Sequence, residues 1–109
     1  MAKTHAIDRL FATIASRKGG DPSKSYTAAL LKEGPAKCAK KFGEEAVEAA
    51  LAGVLKDKKA LAAESADVLY HLLVLWAVNG ITPDDVYAAL AAREGQSGIA
   101  EKASRAKKR

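Results

Sequence analysis

The sequence predicts an all-α domain, and three observations carry that prediction. Alanine is abundant, only 8 glycines and 3 prolines occur in 109 residues, and no β-branched run appears, a composition that favours helix over strand. Apolar residues recur at helical spacing, as Ile7, Leu10, Phe11 and Ile14 do. The acidic residues of the central stretch are paired about a polar turn: Glu45 with Glu48, then Glu64 with Asp67, mirror images about Lys56. A chain that folds back near Lys56 as an antiparallel helical hairpin brings Glu48 level with Glu64 and Glu45 level with Asp67.

The first helix is expected over residues 5–17, closed by Arg17-Lys18 and broken by Gly19-Gly20-Asp21-Pro22. The basic pair suits a helix C-terminus electrostatically, and Arg17 equally suits a phosphate contact. Ser25 can cap a short second helix from Tyr26 to Glu33, with Leu30 and Leu31 facing inward. Gly34-Pro35 ends it and starts the third, 35–55, with proline at a first helical position. Phe42, Ala46, Ala49, Ala50, Val54 and Leu55 supply its apolar surface; Gly43, costly in a helix interior, is expected to mark close packing or ligand access.

Lys56-Asp57-Lys58-Lys59 reads as a solvated turn. The fourth helix, 59–79, surrounds Glu64, Asp67 and His71 with Leu61, Val68, Leu69, Leu72, Leu73, Leu75 and Trp76, and so belongs in a core or at a subunit interface. Asn79-Gly80 terminates it. Thr82-Pro83-Asp84-Asp85 starts a fifth helix that ends near Arg93. Residues 1–95 therefore form one domain, and 96–109 a basic tail expected to be disordered.

The formal charge of +5 is unevenly placed. Residues 93–109 hold six Lys or Arg against two Glu, so the body is nearly neutral, which argues against a nucleic-acid-binding body. Cys38 stands alone, excluding a disulfide framework within one chain and fitting a reducing cytoplasm. The start lacks the apolar run of a secretory signal, and Leu72–Val78 is too short to span a bilayer, so no membrane partner is expected. A chain this short buries a modest core, and a homodimer is a natural way to enlarge it.

Converging carboxylates repel one another, and a dry face raises the cost. A divalent cation held through oxygen relieves it. Oxygen donors without thiols favour Mg²⁺, with Mn²⁺ an acceptable substitute. Magnesium held by few protein groups keeps waters and binds phosphates, and Lys40 and Lys41 lie one turn before the acidic face. Together these residues make a place to hydrolyse a phosphoanhydride, the basic side chains holding the leaving group. His71, one turn beyond Asp67, is either a partner of the acidic network or a core histidine. A di-iron bundle wants Glu-x-x-His on two helices, whereas Glu64 has Asp67 three residues on.

The strings SYTAALL at 25–31, KKFGEEAVE at 40–48 and ESADVLYHLLVL at 64–75 resemble the phosphoribosyl-ATP pyrophosphohydrolase family of histidine biosynthesis. That family is a branch of the all-helical MazG-like nucleoside triphosphate pyrophosphohydrolases, and the similarity runs from Ile7 to Arg93. The resemblance implies Mg²⁺-dependent hydrolysis of phosphoribosyl-ATP, between its α and β phosphates, to phosphoribosyl-AMP and pyrophosphate in a helical dimer. Carried over, Glu44, Glu45, Glu48, Glu64 and Asp67 would bind metal, with Glu44 or Glu45 activating water. Lys40, Lys41 and Arg17 would contact phosphates, while Ser25, Tyr26, Thr27 and His71 would lie on the substrate side. The next enzyme of the pathway, fused to this activity in some organisms, is expected to be a separate protein here. Two rival readings are a housekeeping pyrophosphohydrolase acting on free nucleoside triphosphates and a non-enzymatic module that binds through the basic tail.

Overall fold

The computed structural model describes residues 5–95, and among these it contains five helices and no strand. They are α1 (Ala6–Ser16), α2 (Tyr26–Glu33), α3 (Pro35–Val54), α4 (Lys58–Asn79) and α5 (Pro83–Glu94). The all-α expectation holds, with every helix boundary within a residue of its predicted place. The 96–109 tail lies outside the described residues.

The boundaries follow from local chemistry. His5 starts α1 unforeseen: its Nδ1 accepts the Ile7 N–H at 3.1 Å. In the following loop, Asp21 Oδ1 accepts the N–H and hydroxyl of Ser23 at 2.9 and 2.7 Å, which holds its carboxyl below the usual range. Ser25 Oγ accepts the Ala28 N–H at 3.0 Å and caps α2 as predicted. Gly34 joins α2 to α3 at φ 96° and ψ −177°, a conformation essentially confined to glycine. At the start of α5, Asp85 Oδ2 accepts both the N–H and the hydroxyl of Thr82, at 2.9 and 3.2 Å.

α3 and α4 form the most extensive helix pair, and α1 and α2 also lie on α4. The core is Ile14, Leu30, Cys38, Leu73 and Val74, one or two residues from each of these four helices. Phe11, Tyr70 and Trp76 pack against it. Cys38 donates its thiol to the Leu30 carbonyl at 3.3 Å, and burial raises its pKa, so the lone cysteine is a packing residue. α5 leans on α1, where the Tyr87 hydroxyl donates to Asp8 Oδ1 at 3.0 Å.

Three expectations need correction. Gly43 is exposed, and a Cβ there would meet nothing within 4 Å, so close packing is not its role. Val54 and Leu55 are 77% exposed in the single chain rather than apolar surface packed within it. The run Leu72–Val78 is short, but α4 as a whole has 22 residues and is long and apolar enough to cross a membrane by length and composition alone. Core helices share that property, and α4 gives Leu73 and Val74 to the core, although only 17% of its apolar window is buried in the single chain.

Candidate active site

The hairpin turn sets the register of the acidic residues. Lys56 takes the left-handed conformation at φ 58°, its N–H bonding the Gly53 carbonyl and the next N–H, of Asp57, reaching Ala52, both at 3.1 Å. This paired closure of a helix C-terminus normally places glycine where Lys56 stands. Asp57 then caps α4 at once, its Oδ1 accepting the Ala60 N–H at 3.0 Å. One residue therefore ends α3 and the next begins α4, which leaves the helices antiparallel with no slack between them.

That register brings three carboxylates together. One oxygen each from Glu45, Glu48 and Glu64 lies within 4.8 Å of the others. Glu45 and Glu64 are half-buried and Glu48 is exposed. Oε2 of Glu64 is buried with no hydrogen-bond partner, an arrangement that costs about 1–3 kcal/mol unless something else satisfies it. A hydrogen bond with Glu45 and repulsion from it raise the Glu48 pKa; Asp67 adds to the rise and Lys41 opposes it. The trio thus has oxygen donors only, close like charges that raise the Glu48 pKa, and an unsatisfied buried oxygen. Those properties fit a hard divalent cation.

The other predicted acids stand around this trio. Asp67 is exposed and outside it, close enough to influence Glu48. Glu44 is exposed and pairs with Lys41, Nζ to Oε1 at 3.4 Å. That contact chiefly raises the Lys41 pKa, with Tyr26 and Glu45 contributing. Lys41 therefore sits amid the α3 acids and within electrostatic reach of α2. Lys40 and Arg17 are exposed and make no ion pair among the described residues.

On the substrate side predicted from sequence, α2 and α4 are tied by side chains. Thr27 Oγ1 and the Tyr70 hydroxyl are hydrogen-bonded, and the Tyr26 hydroxyl meets His71 Nε2 at 3.4 Å. The Tyr26 and Tyr70 rings stack at 6.5 Å and 23°, and His71 stands edge-on to Tyr70 at 4.9 Å. His71 is buried, with Nδ1 at 2.9 Å from the Asp67 carbonyl. The Ser25 hydroxyl is taken up by the α2 cap. Tyr70 had no role assigned from sequence. Its position three residues after Asp67, on the adjoining part of the α4 face, was the available signal. Burial raises its pKa, so it remains a phenol.

The residues of this site all lie within the stretch that a family of known proteins matches. A family model described as phosphoribosyl-ATP pyrophosphohydrolase matches residues 7–94. Among similar curated proteins, a phosphoribosyl-ATP pyrophosphatase of Caulobacter vibrioides is 62% identical over 103 residues, covering 94% of this chain and 95% of that protein. One from Cereibacter sphaeroides is 60% identical over 99 residues, covering 91% and 96%. One from Azospirillum brasilense is 59% identical over 99 residues, covering 91% and 89%.

Proposed function

The chain belongs to the phosphoribosyl-ATP pyrophosphohydrolase family, and on that premise we propose how its residues hydrolyse phosphoribosyl-ATP to phosphoribosyl-AMP and pyrophosphate in histidine biosynthesis. The observation that carries the proposal is the convergence of Glu45, Glu48 and Glu64 beside the orphaned Glu64 Oε2. These three carboxylates, with Asp67 alongside, would hold Mg²⁺, for which Mn²⁺ can substitute. When bound, the ion would neutralise the phosphate oxygens around the scissile anhydride.

The remaining roles are assigned to the chain's own groups. Glu45 belongs to the converging trio, so Glu44, outside it and exposed, is the carboxylate we assign to take the proton of the attacking water. Lys41, held by Glu44, and the exposed Lys40 would bind the departing pyrophosphate, with Arg17 a further phosphate contact. Tyr26 and Thr27, on the first turn of α2, would border the nucleoside end of the substrate.

The domain is assigned to residues 1–95, and the unit in solution to a homodimer. Val47, Leu51 and Val54 on α3 and Leu55 at its C-cap are exposed and spaced to share one apolar face. A soluble small-molecule enzyme with one reduced thiol is assigned to the cytoplasm, with no nucleic-acid or membrane partner.

Pyrophosphate release measured with Mg²⁺ from phosphoribosyl-ATP, ATP, dATP and dUTP tests the substrate assignment. Turnover confined to phosphoribosyl-ATP is the expected result. Preference for a free triphosphate would transfer the same carboxylates to a housekeeping reaction.

A further inference from the structure

The ties between α2 and α4 leave one group in an unusual position. His71 is 6% exposed, too buried to touch a substrate directly, yet both its ring nitrogens are engaged. The Asp67 carbonyl can only accept, so Nδ1 carries the proton of that 2.9 Å bond. In the neutral ring Nε2 is then a bare acceptor, and the Tyr26 hydroxyl donates to it. The imidazole is thereby fixed in one tautomer, and its edge-on contact with Tyr70 fixes the plane of the ring.

Tyr26 is the group at the other end. It is 55% exposed, with one face stacked on Tyr70 and its phenol within electrostatic reach of Lys41 beside the carboxylates. A half-exposed aromatic ring held from behind has lost its rotamer freedom in advance, which lowers the cost of stacking a planar base upon it. An untethered tyrosine at the start of a short helix would have to be ordered by the substrate.

We propose that His71 is a positioning residue for the hydrolase: through Nε2 it holds Tyr26 upright, and the free ring of Tyr26 forms the wall against which the substrate's purine packs. The chain of support runs from the Asp67 backbone through His71 and Tyr26 to the base, with Tyr70 and Thr27 bracing the stack from α4 and α2. The same α4 segment thus supplies acids for the phosphate end and the brace for the base end. This inference rests on the phosphoribosyl-ATP reading and adds to it the residue that prepares the base contact.

The test is steady-state kinetics on full-length wild type, Tyr26→Phe, His71→Phe, the double variant and His71→Gln, with phosphoribosyl-ATP and Mg²⁺. Both single variants retain aromatic packing; Tyr26→Phe loses only the tie, and His71→Phe loses the tie together with its bond to the Asp67 carbonyl. Each is expected to raise KM about 3- to 10-fold, the range of one neutral hydrogen bond, with kcat within about twofold of wild type. The double variant is expected to be no worse than the worse single one, because both remove the same interaction. His71→Gln, which retains an acceptor, should recover part of the loss. Tyr26→Phe alone decides the matter if His71→Phe does not fold, since the Tyr26 side chain is exposed. An unchanged KM in Tyr26→Phe, multiplicative effects in the double variant, or a loss confined to kcat would overturn the inference while wild-type turnover preserves the hydrolase reading. A wild type that does not turn over phosphoribosyl-ATP would overturn both.

Discussion

A buried carboxylate oxygen without a partner is unstable company for two other carboxylates, and Glu64 Oε2 is in that position beside Glu45 and Glu48. Folding alone does not reward such an arrangement; a bound cation does. The metal-free protein should therefore carry a signature. The Glu48 pKa is raised, so the folded state holds that proton more tightly than the unfolded chain does. The stability it contributes is fully present below the ordinary glutamate value of 4.5 and is lost as pH rises through the elevated folded value. In chelator, the melting temperature of wild type should accordingly fall relative to Glu48→Gln as pH increases through that window, and Mg²⁺ should raise wild type relative to the variant. A gap between the two proteins that is the same at every pH would contradict this electrostatic account. Much of the trio was legible in the sequence, because residues three apart on helices mirrored about Lys56 fall on facing surfaces at matching heights. The exclusion of Asp67 and Glu44 from it was not, because side-chain reach and the competing Lys41 contact decide which oxygens converge.

At the scale of elements, the turns are where sequence and backbone pull against each other. Lys56 occupies a left-handed position that costs an L-residue about 1–2 kcal/mol, partly offset by the greater chain entropy that glycine would lose. Lys56→Gly should therefore stabilise the protein by a net of about 0.5–1 kcal/mol in urea titration, with no change in hairpin register. Gly34 is the opposite case. Nothing lies within 4 Å of a Cβ placed there, so Gly34→Ala should destabilise by about 1–3 kcal/mol through backbone conformation alone. An unchanged urea midpoint in that variant would show that α2 and α3 can be joined another way. Gly43, in open space on a helical stretch, should accept alanine with a gain of about 1 kcal/mol. The helices themselves were readable because caps and breakers surround them: Ser25, Gly34-Pro35, Asn79-Gly80 and Thr82-Pro83-Asp84-Asp85 each mark a boundary. Lys56 was read only as solvated turn, since a lysine gives no local sign that its backbone is left-handed. The His5 cap was likewise hidden, because histidine is an uncommon residue in that role.

For the whole molecule, Val47, Leu51, Val54 and Leu55 at the α3 end and Leu61 and Leu69 on α4 are exposed in the single chain and would be covered in the proposed homodimer. Light scattering should give twice the chain mass for wild type, and Val54→Asp combined with Leu55→Asp should shift it to the monomer. A monomeric wild type would remove the dimer from the account. The central claim is that the α3–α4 carboxylates hold the cation on which phosphoribosyl-ATP hydrolysis depends. Its most direct test is pyrophosphate release across a Mg²⁺ titration for wild type, Glu48→Gln and Glu64→Gln. The account predicts saturable Mg²⁺ dependence in wild type and a loss of about 100-fold or more in each variant, the scale expected when the groups that support transition-state charge are removed. Wild-type turnover that needs no divalent cation, or variants that keep wild-type rates, would contradict it.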